Sequence, residues 1–438
     1  MPRTGAASRG TYPGGVTPLT VETREIDPVD DLLAYADPAA PLAWLRRGDG
    51  IVAVGGWMPV RIAVGAGEGP LRSAIIAERW REIAAAATVD DPVGLPGTGL
   101  VGFGALAFDE DSAAESVLVV PSVILGTHRG RGWITRISPT GEEHPLDRPD
   151  ATLSPVAYGP HWAGTVGPGA QTPEGHLAAV REAIRRIGDG EASKIVLARD
   201  LTGTIPAGAD LRRLVRELST GYPDTWAFSV DGLVGASPET LVTVQERTVT
   251  ARVLAGTIGR GADADGDAAA SAHLVGSTKD LDEHQYAVQS LLAALRPHVR
   301  ALAASEQPFL LKLPNLFHLA TDVEAELSDG ESSLDLVGAR HPTAAVAGTP
   351  TPAAVAAIRE IEPFDRGRYA GPVGWIDGNG NGEWAIALRC AQITAGAEPG
   401  APLGVTAYAG GGIVAASDPE TELLETRVKF RPLVDALA

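Results

Sequence analysis

The stretch 405–430, VTAYAGGGIVAASDPETELLETRVKF, decides how the chain is read. A short strand through Val405 and Ala407 runs into Gly410, Gly411 and Gly412, which read as a glycine-rich loop. After an apolar link, 413–416, Ser417-Asp418-Pro419 opens a helix: Asp or Ser caps free N–H groups, and proline suits the first helical position. Glu422, Glu425 and Lys429 then fall at i, i+3 and i+7 and share one face. Leu423, Leu424, Val428 and Leu433 take much of the rest, so the helix packs on two sides. Two carboxylates and a lysine over glycines make a seat for a metal and an anion. A solvated helix face behind a loop is the plainer reading, and partners elsewhere decide between the two.

At 438 residues the chain has room for two or three average domains or one large one. A hydrophobic content of 44% with 21% charged residues is ordinary globular composition. The net charge of −19 argues against nucleic acid or an anionic membrane as partner. A bound anion would need cations concentrated locally, from Lys, Arg or a metal. Cys390 is the single cysteine, which excludes an internal disulfide and a cysteine-rich zinc site. Residues 1–20 lack the apolar core of a secretory signal, and no apolar run reaches the roughly 18 residues of a membrane span. The expectation is a soluble, cytoplasmic protein.

Residues 1–20, rich in Gly, Pro, Ser and Thr, read as a mobile tail. Between 21 and 170 the pattern gives strand-like text at 41–62, a helix over 71–87, and strands at 99–108, 116–125 and 133–137. Residues 138–170 read as a long connection. The part from 171 to 438 opens with a capped helix, 172–187, and a strand, 194–201. A meander follows over 226–254, then helices over 278–303 and 352–361. A hairpin of 369–376 with 383–393 turns at DGNGNG. Strands and helices come in groups rather than in alternation, which argues for an α+β fold with antiparallel sheets.

Several residues in this frame carry chemistry. Lys194 begins an otherwise apolar strand and either snorkels at the sheet end or points into a cavity, where burial would favour a basic role. Ser237-Pro238-Glu239 breaks a strand; Glu239 is either a turn residue in water or an acid in apolar company that keeps its proton. Gly256-Thr257 lies where small residues allow close backbone approach to a ligand. Asp280 and Glu283 share a face at the start of the 278–303 helix, and His284 follows. The pair either favours the helix dipole or joins Glu422 and Glu425 in a thiolate-free carboxylate set suited to Mg²⁺. His284 fits better as a hydrogen-bonded neighbour of such a set than as a ligand. Arg389 stands among alanines, and a forked cation beside empty volume suits a carboxylate ligand.

Together these pieces resemble the chorismate-utilising enzymes: the isochorismate, salicylate, anthranilate and aminodeoxychorismate synthases. The matching text is KIVLAR (194–199), SPETLV (237–242), LAGTIGRG (254–261), STKDLDEH (277–284), RHPTAAVAG (340–348), RYAGPVGW (368–375), ALRCAQI (387–393) and AGGGIVAASDPETELLETRVK (409–429). The resemblance covers residues 172–435 closely and the N-terminal part more loosely. It implies one large α+β domain of packed antiparallel sheets flanked by helices. Lys194 stands where isochorismate and salicylate synthases carry their general base and the amine-forming enzymes carry glutamine. Ala255 replaces the nucleophilic lysine of aminodeoxychorismate synthases. Ala345 falls where salicylate-forming members tend to have threonine, and Ala344 replaces the usual proline of that loop.

The resemblance therefore implies an Mg²⁺-dependent isochorismate synthase acting on chorismate for menaquinone or siderophore biosynthesis. Lys194 is the expected base and Glu239 the expected acid. Glu283 and Glu425 are the expected metal ligands, with Asp280 and Glu422 holding metal-bound waters. Tyr369, Arg389 and the N–H groups of Gly410, Gly411 and Gly412 are expected at the enolpyruvyl carboxylate, and Lys429, Gly256 and Thr257 near the ring carboxylate. Ala345 and Val346 line the substrate. Salicylate synthase, which adds pyruvate elimination, is the near alternative, and a silent chorismate-binding protein the distant one. No exposed apolar helix is evident, and a monomer is expected.

Overall fold

The computed structural model describes residues 17–67, 71–148, 153–261, 263–312 and 316–438, without the side chains of Thr257, Lys279, Glu283 and Leu316. Most of the expected mobile tail lies outside these residues; its last two, Leu19 and Thr20, open a strand, Leu19–Ile26. Among the described residues the strands form one sheet of thirteen and one of ten, almost wholly antiparallel. Both sheets draw strands from before and after residue 170.

Four neighbouring strands of the larger sheet matter for the site. In chain order they are β1 (Lys194–Ile205), β2 (Leu233–Ser237), β8 (Cys390–Thr394) and β9 (Leu403–Ile413), and in space they run β1-β9-β8-β2. In the smaller sheet, β3 (Thr240–Gln245), β4 (Thr248–Gly259), β5 (Leu316–Leu327), β6 (Pro372–Asp377) and β7 (Gly382–Ile386) run β5-β4-β3-β7-β6. Alternate residues of both sheets, among them Trp44, Phe103, Phe228 and Trp384, join one continuous apolar core. Leu214, Leu218, Phe430 and Leu433 form a second core with the larger sheet.

Four helices pack on these strands, α2 (Pro173–Gly188), α3 (Thr278–Leu295), α4 (Ser333–Arg340) and α5 (Pro419–Leu437), and α1 (Arg72–Ala86) packs on α4. Their starts follow local chemistry. Thr172 accepts from the Gly175 N–H, Ser277 from Asp280, and Asp418 from Thr421, each satisfying a donor that the first turn leaves free. No helix of the described residues is long and apolar enough to cross a membrane.

Four readings of the sequence change. The expected helix over 278–303 ends at Leu295, and residues 299–304 are a strand. Residues 264–276, not assigned from sequence, form a helix capped by Asp263. The stretch 116–125 is two strands, Ser116–Val120 and Val123–His128, in different sheets, and only the second pairs with 131–139. The hairpin strand 383–393 is also two: β7 belongs to the smaller sheet and β8 to the larger, with residues 387–389 crossing between them.

Candidate active site

The chain crosses between the sheets a second time nearby, from β2 to β3 through Pro238 and Glu239. Proline cannot donate to a ladder, so pairing ends there. The two crossings are bonded to each other. The Ile386 N–H donates to the Glu239 carbonyl at 3.0 Å, and the Ala236 N–H to the Arg389 carbonyl at 3.2 Å. The Ser237 hydroxyl donates to the Ile386 carbonyl. Arg389 has φ of 48°, in the left-handed region, so its strained turn is held by these neighbours. The acid and the guanidinium thus stand at the same break between the sheets.

Four cations act on Glu239. Burial pushes its carboxyl up from the ordinary value, opposed by Lys194, Arg340, Arg389 and Lys429 in that order. Burial lowers the Arg389 guanidinium, while Tyr369, Glu425 and Glu239 act to raise it. Tyr369 is buried and stacks on Tyr408 at 5.0 Å.

The three glycines are not a loop. Gly410, Gly411 and Gly412 lie within β9, opposite Ala198, Leu197 and Val196 of β1. On the other side β8 begins only at Cys390, and its pairing with β9 covers residues 404–407. The glycine segment therefore has a strand on one edge and an open edge on the other, where the Gly410 carbonyl accepts from Lys429 Nζ at 2.7 Å. Lys429 also pairs with Glu425 one helical turn back. Successive residues face opposite sides of a strand. A Cβ on Gly411 would lie 3.1 Å from Glu422 Oε2 and 3.7 Å from Glu425 Oε1, and one on Gly412 would lie 2.6 Å from Lys194 Cε. The glycines make room for the carboxylates and for the lysine. Burial, with Glu425 beside it, also raises the Glu422 carboxyl, the behaviour of two like charges that a cation would relieve.

Gly256 sits at a bulge in β4 with φ of +76°, and a Cβ there would lie 3.3 Å from Asp280 Cβ. Among the described residues no three His, Cys, Asp or Glu side chains gather as a metal group. The structure thus brings Glu422 and Glu425 together and sets Asp280 beside the Gly256 bulge; the Glu283 and Thr257 side chains lie outside the described residues. His284 is buried and anchors α3: Nδ1–H donates to the Ala255 carbonyl at 3.1 Å, and Nε2 accepts from the Thr321 hydroxyl at 2.7 Å. Both ring nitrogens are thereby used within the protein.

Ala345 is exposed and Val346 buried on the loop after α4. That loop is held by residues the sequence reading passed over. Arg366 donates to the Val346 and Val196 carbonyls at 2.9 and 2.8 Å and pairs with buried Glu362 at 2.6 Å. Glu362 accepts from the Ala198 N–H at 2.7 Å. A charged pair spanning β1 and the loop does work that a neighbouring strand does elsewhere. Its only sequence signal was an arginine four residues after a helix-ending Glu-Pro. Arg340 and His318 were also missed: Arg340 acts on Glu239, and His318 hydrogen-bonds the Gly256 backbone.

The chorismate binding enzyme family matches residues 11–438. The isochorismate synthase DhbC of Bacillus subtilis is 41% identical over 277 residues, 60% of this chain and 68% of that one. The salicylate biosynthesis isochorismate synthase of Pseudomonas aeruginosa is 32% identical over 452 residues, 96% and 90% of the two chains. The structure of the menaquinone-specific isochorismate synthase MenF of Escherichia coli shares the fold, with a TM-score of 0.75, 22% identity, and 97% and 95% of the chains covered. The chain belongs to the chorismate-binding enzyme family.

Proposed function

We infer that the protein is an isochorismate synthase, an isomerase that converts chorismate to isochorismate. The observation that carries this reading is a carboxyl, Glu239, set at the break between the two sheets and raised by burial, on which Lys194 acts most strongly among four cations. In the reaction, Lys194 takes a proton from a water whose oxygen bonds to C2. The ring double bonds shift, and Glu239 protonates the C4 hydroxyl, which leaves as water. One water enters and one departs, so the formula is unchanged. An acid of raised pKa suits a step in which a carboxyl must hold its proton near neutrality.

Two carboxylates of chorismate have to be held inside a chain of net charge −19. Arg389, beside buried Tyr369, suits the enolpyruvyl carboxylate as a forked donor, and the open edge of Gly410–Gly412 adds backbone N–H groups. Lys429 and the Gly256-Thr257 bulge suit the ring carboxylate. Glu422 and Glu425, hard oxygen donors with a mutual charge to neutralise, fit Mg²⁺, and Glu283 and Asp280 on α3 would complete its surroundings. When bound, Mg²⁺ supplies a positive charge for the ring carboxylate. The substrate thereby meets a positive lining despite the acidic surface.

The test is chromatography of purified protein incubated with chorismate and Mg²⁺, with EDTA and ammonium in parallel and pyruvate assayed. Isochorismate that is EDTA-sensitive and unaccompanied by pyruvate supports the reading. Salicylate with stoichiometric pyruvate, or an aminated product, overturns it.

A further inference from the structure

Arg340 ends α4, which packs on β3, the strand that Glu239 leads into. Its Nη1 is buried and has no hydrogen-bond partner. Among the described residues no hydrogen bond or ion pair holds this guanidinium, and Glu239 is the one charge that acts on it. Three buried arginines behave otherwise. Arg366, Arg212 and Arg368 are each fixed by a carboxylate and by backbone carbonyls. An N–H buried without an acceptor costs folding free energy, and such costs persist where a ligand repays them.

We propose that Arg340 is a substrate contact, donating a hydrogen bond to the oxygen that leaves C4 beside Glu239. The proposal rests on the isochorismate synthase reading. As the C4–O bond breaks, its electron pair stays with the oxygen, which takes the Glu239 proton and departs as water. The ring double bonds shift, the incoming water oxygen bonds C2, and its proton goes to Lys194. Arg340 exchanges no proton; it stabilises the charge that builds on the departing oxygen. It also adds a cation beside the acid, with Lys194, Arg389 and Lys429 the others facing Glu239.

The test compares Arg340→Leu and Arg340→Lys with the wild-type protein in initial rates on chorismate with Mg²⁺ from pH 5 to 9, after circular dichroism and thermal melting establish folding. Arg340→Leu is expected to lower kcat about 10²-fold with little change in KM. It should also move the alkaline limb of the profile upward, because removing a cation raises the pKa of Glu239. Arg340→Lys, which keeps the charge, should hold the limb near its wild-type position and recover part of kcat. A folded Arg340→Leu protein with wild-type kcat and an unmoved limb overturns the proposal. If Arg340→Leu does not fold, Arg340→Lys decides: full wild-type kcat overturns the contact, since lysine cannot reproduce the planar donor fork. Absence of isochorismate from the wild-type protein would instead remove the functional reading, a separate outcome.

Discussion

The Glu239 carbonyl accepts from Ile386, and the Arg389 carbonyl accepts from Ala236, so the two residues are set by hydrogen bonds between paired chain crossings. Each crossing ends pairing in one sheet and starts it in the other. Their side chains are therefore released where the sheet core opens, and each acts electrostatically on the other.

Glu239→Gln keeps size and hydrogen bonding but supplies no transferable proton. Isochorismate formation should fall by at least ~10²-fold while chorismate still binds, measured by calorimetric titration alongside product chromatography. Undiminished turnover would remove Glu239 from the acid role.

Lys194→Ala should stop turnover, by about 10²–10⁴-fold, without loss of fold. Lys194 is half-buried at the start of β1, and the strand is held by its pairing with β9 along eleven residue pairs, not by the lysine. Substantial residual activity with an unchanged melting curve would contradict the base assignment.

The pH dependence has a definite sign. Glu239 works protonated, and burial raises its pKa above the ordinary 4.5. Activity governed by this group is present below its folded-state pKa and lost as pH rises through it. The alkaline limb of kcat should therefore lie above the ordinary carboxylate range and disappear in Glu239→Gln. A limb within the ordinary range would mean that burial does not protect the acid.

Gly412→Ala tests the space made for the base. The new Cβ meets the flexible end of Lys194, which moves aside, while the backbone needs no unusual φ. Activity should drop on the order of 10–10²-fold through misplacement of the amine, with the melting temperature nearly unchanged. Wild-type kcat in this variant would mean that the amine position is not critical.

Glu362→Ala addresses the pair that holds the loop after α4. It leaves Arg366 buried without its partner and the Ala198 N–H without an acceptor. A stability loss of about 3–5 kcal/mol is expected in denaturant unfolding. A change below about 1 kcal/mol would show that water replaces the carboxylate.

Much of this was legible in local text. Thr172, Ser277 and Asp418 announced their helices because a cap is a contact over three residues. The crossing at 387–389 was not, because the alternation of large and small residues continues through it. Nothing at Leu388 or Arg389 signals that the partner strand changes. The glycines read as a loop because they lack β-propensity, yet β1 pairs with each of them, and tertiary pairing overrides propensity. Arg340, Arg366 and Glu362 act through space across more than a hundred residues of sequence or through buried pairing, which no local pattern carries. The carboxylates were visible as pairs, and the structure keeps Glu422 with Glu425 while setting Asp280 against Gly256.

The central claim is that water attacks C2 while the C4 hydroxyl leaves, and isotope labelling tests it most directly. Chorismate and Mg²⁺ would be incubated with the protein in ¹⁸O-water and quenched before equilibrium, and isochorismate analysed by mass spectrometry. The account predicts one solvent oxygen per isochorismate, located at C2, in the wild-type protein and none formed by Lys194→Ala. Isochorismate carrying only the original oxygen would contradict it, since the hydroxyl would then have migrated within the molecule without the water that Lys194 activates.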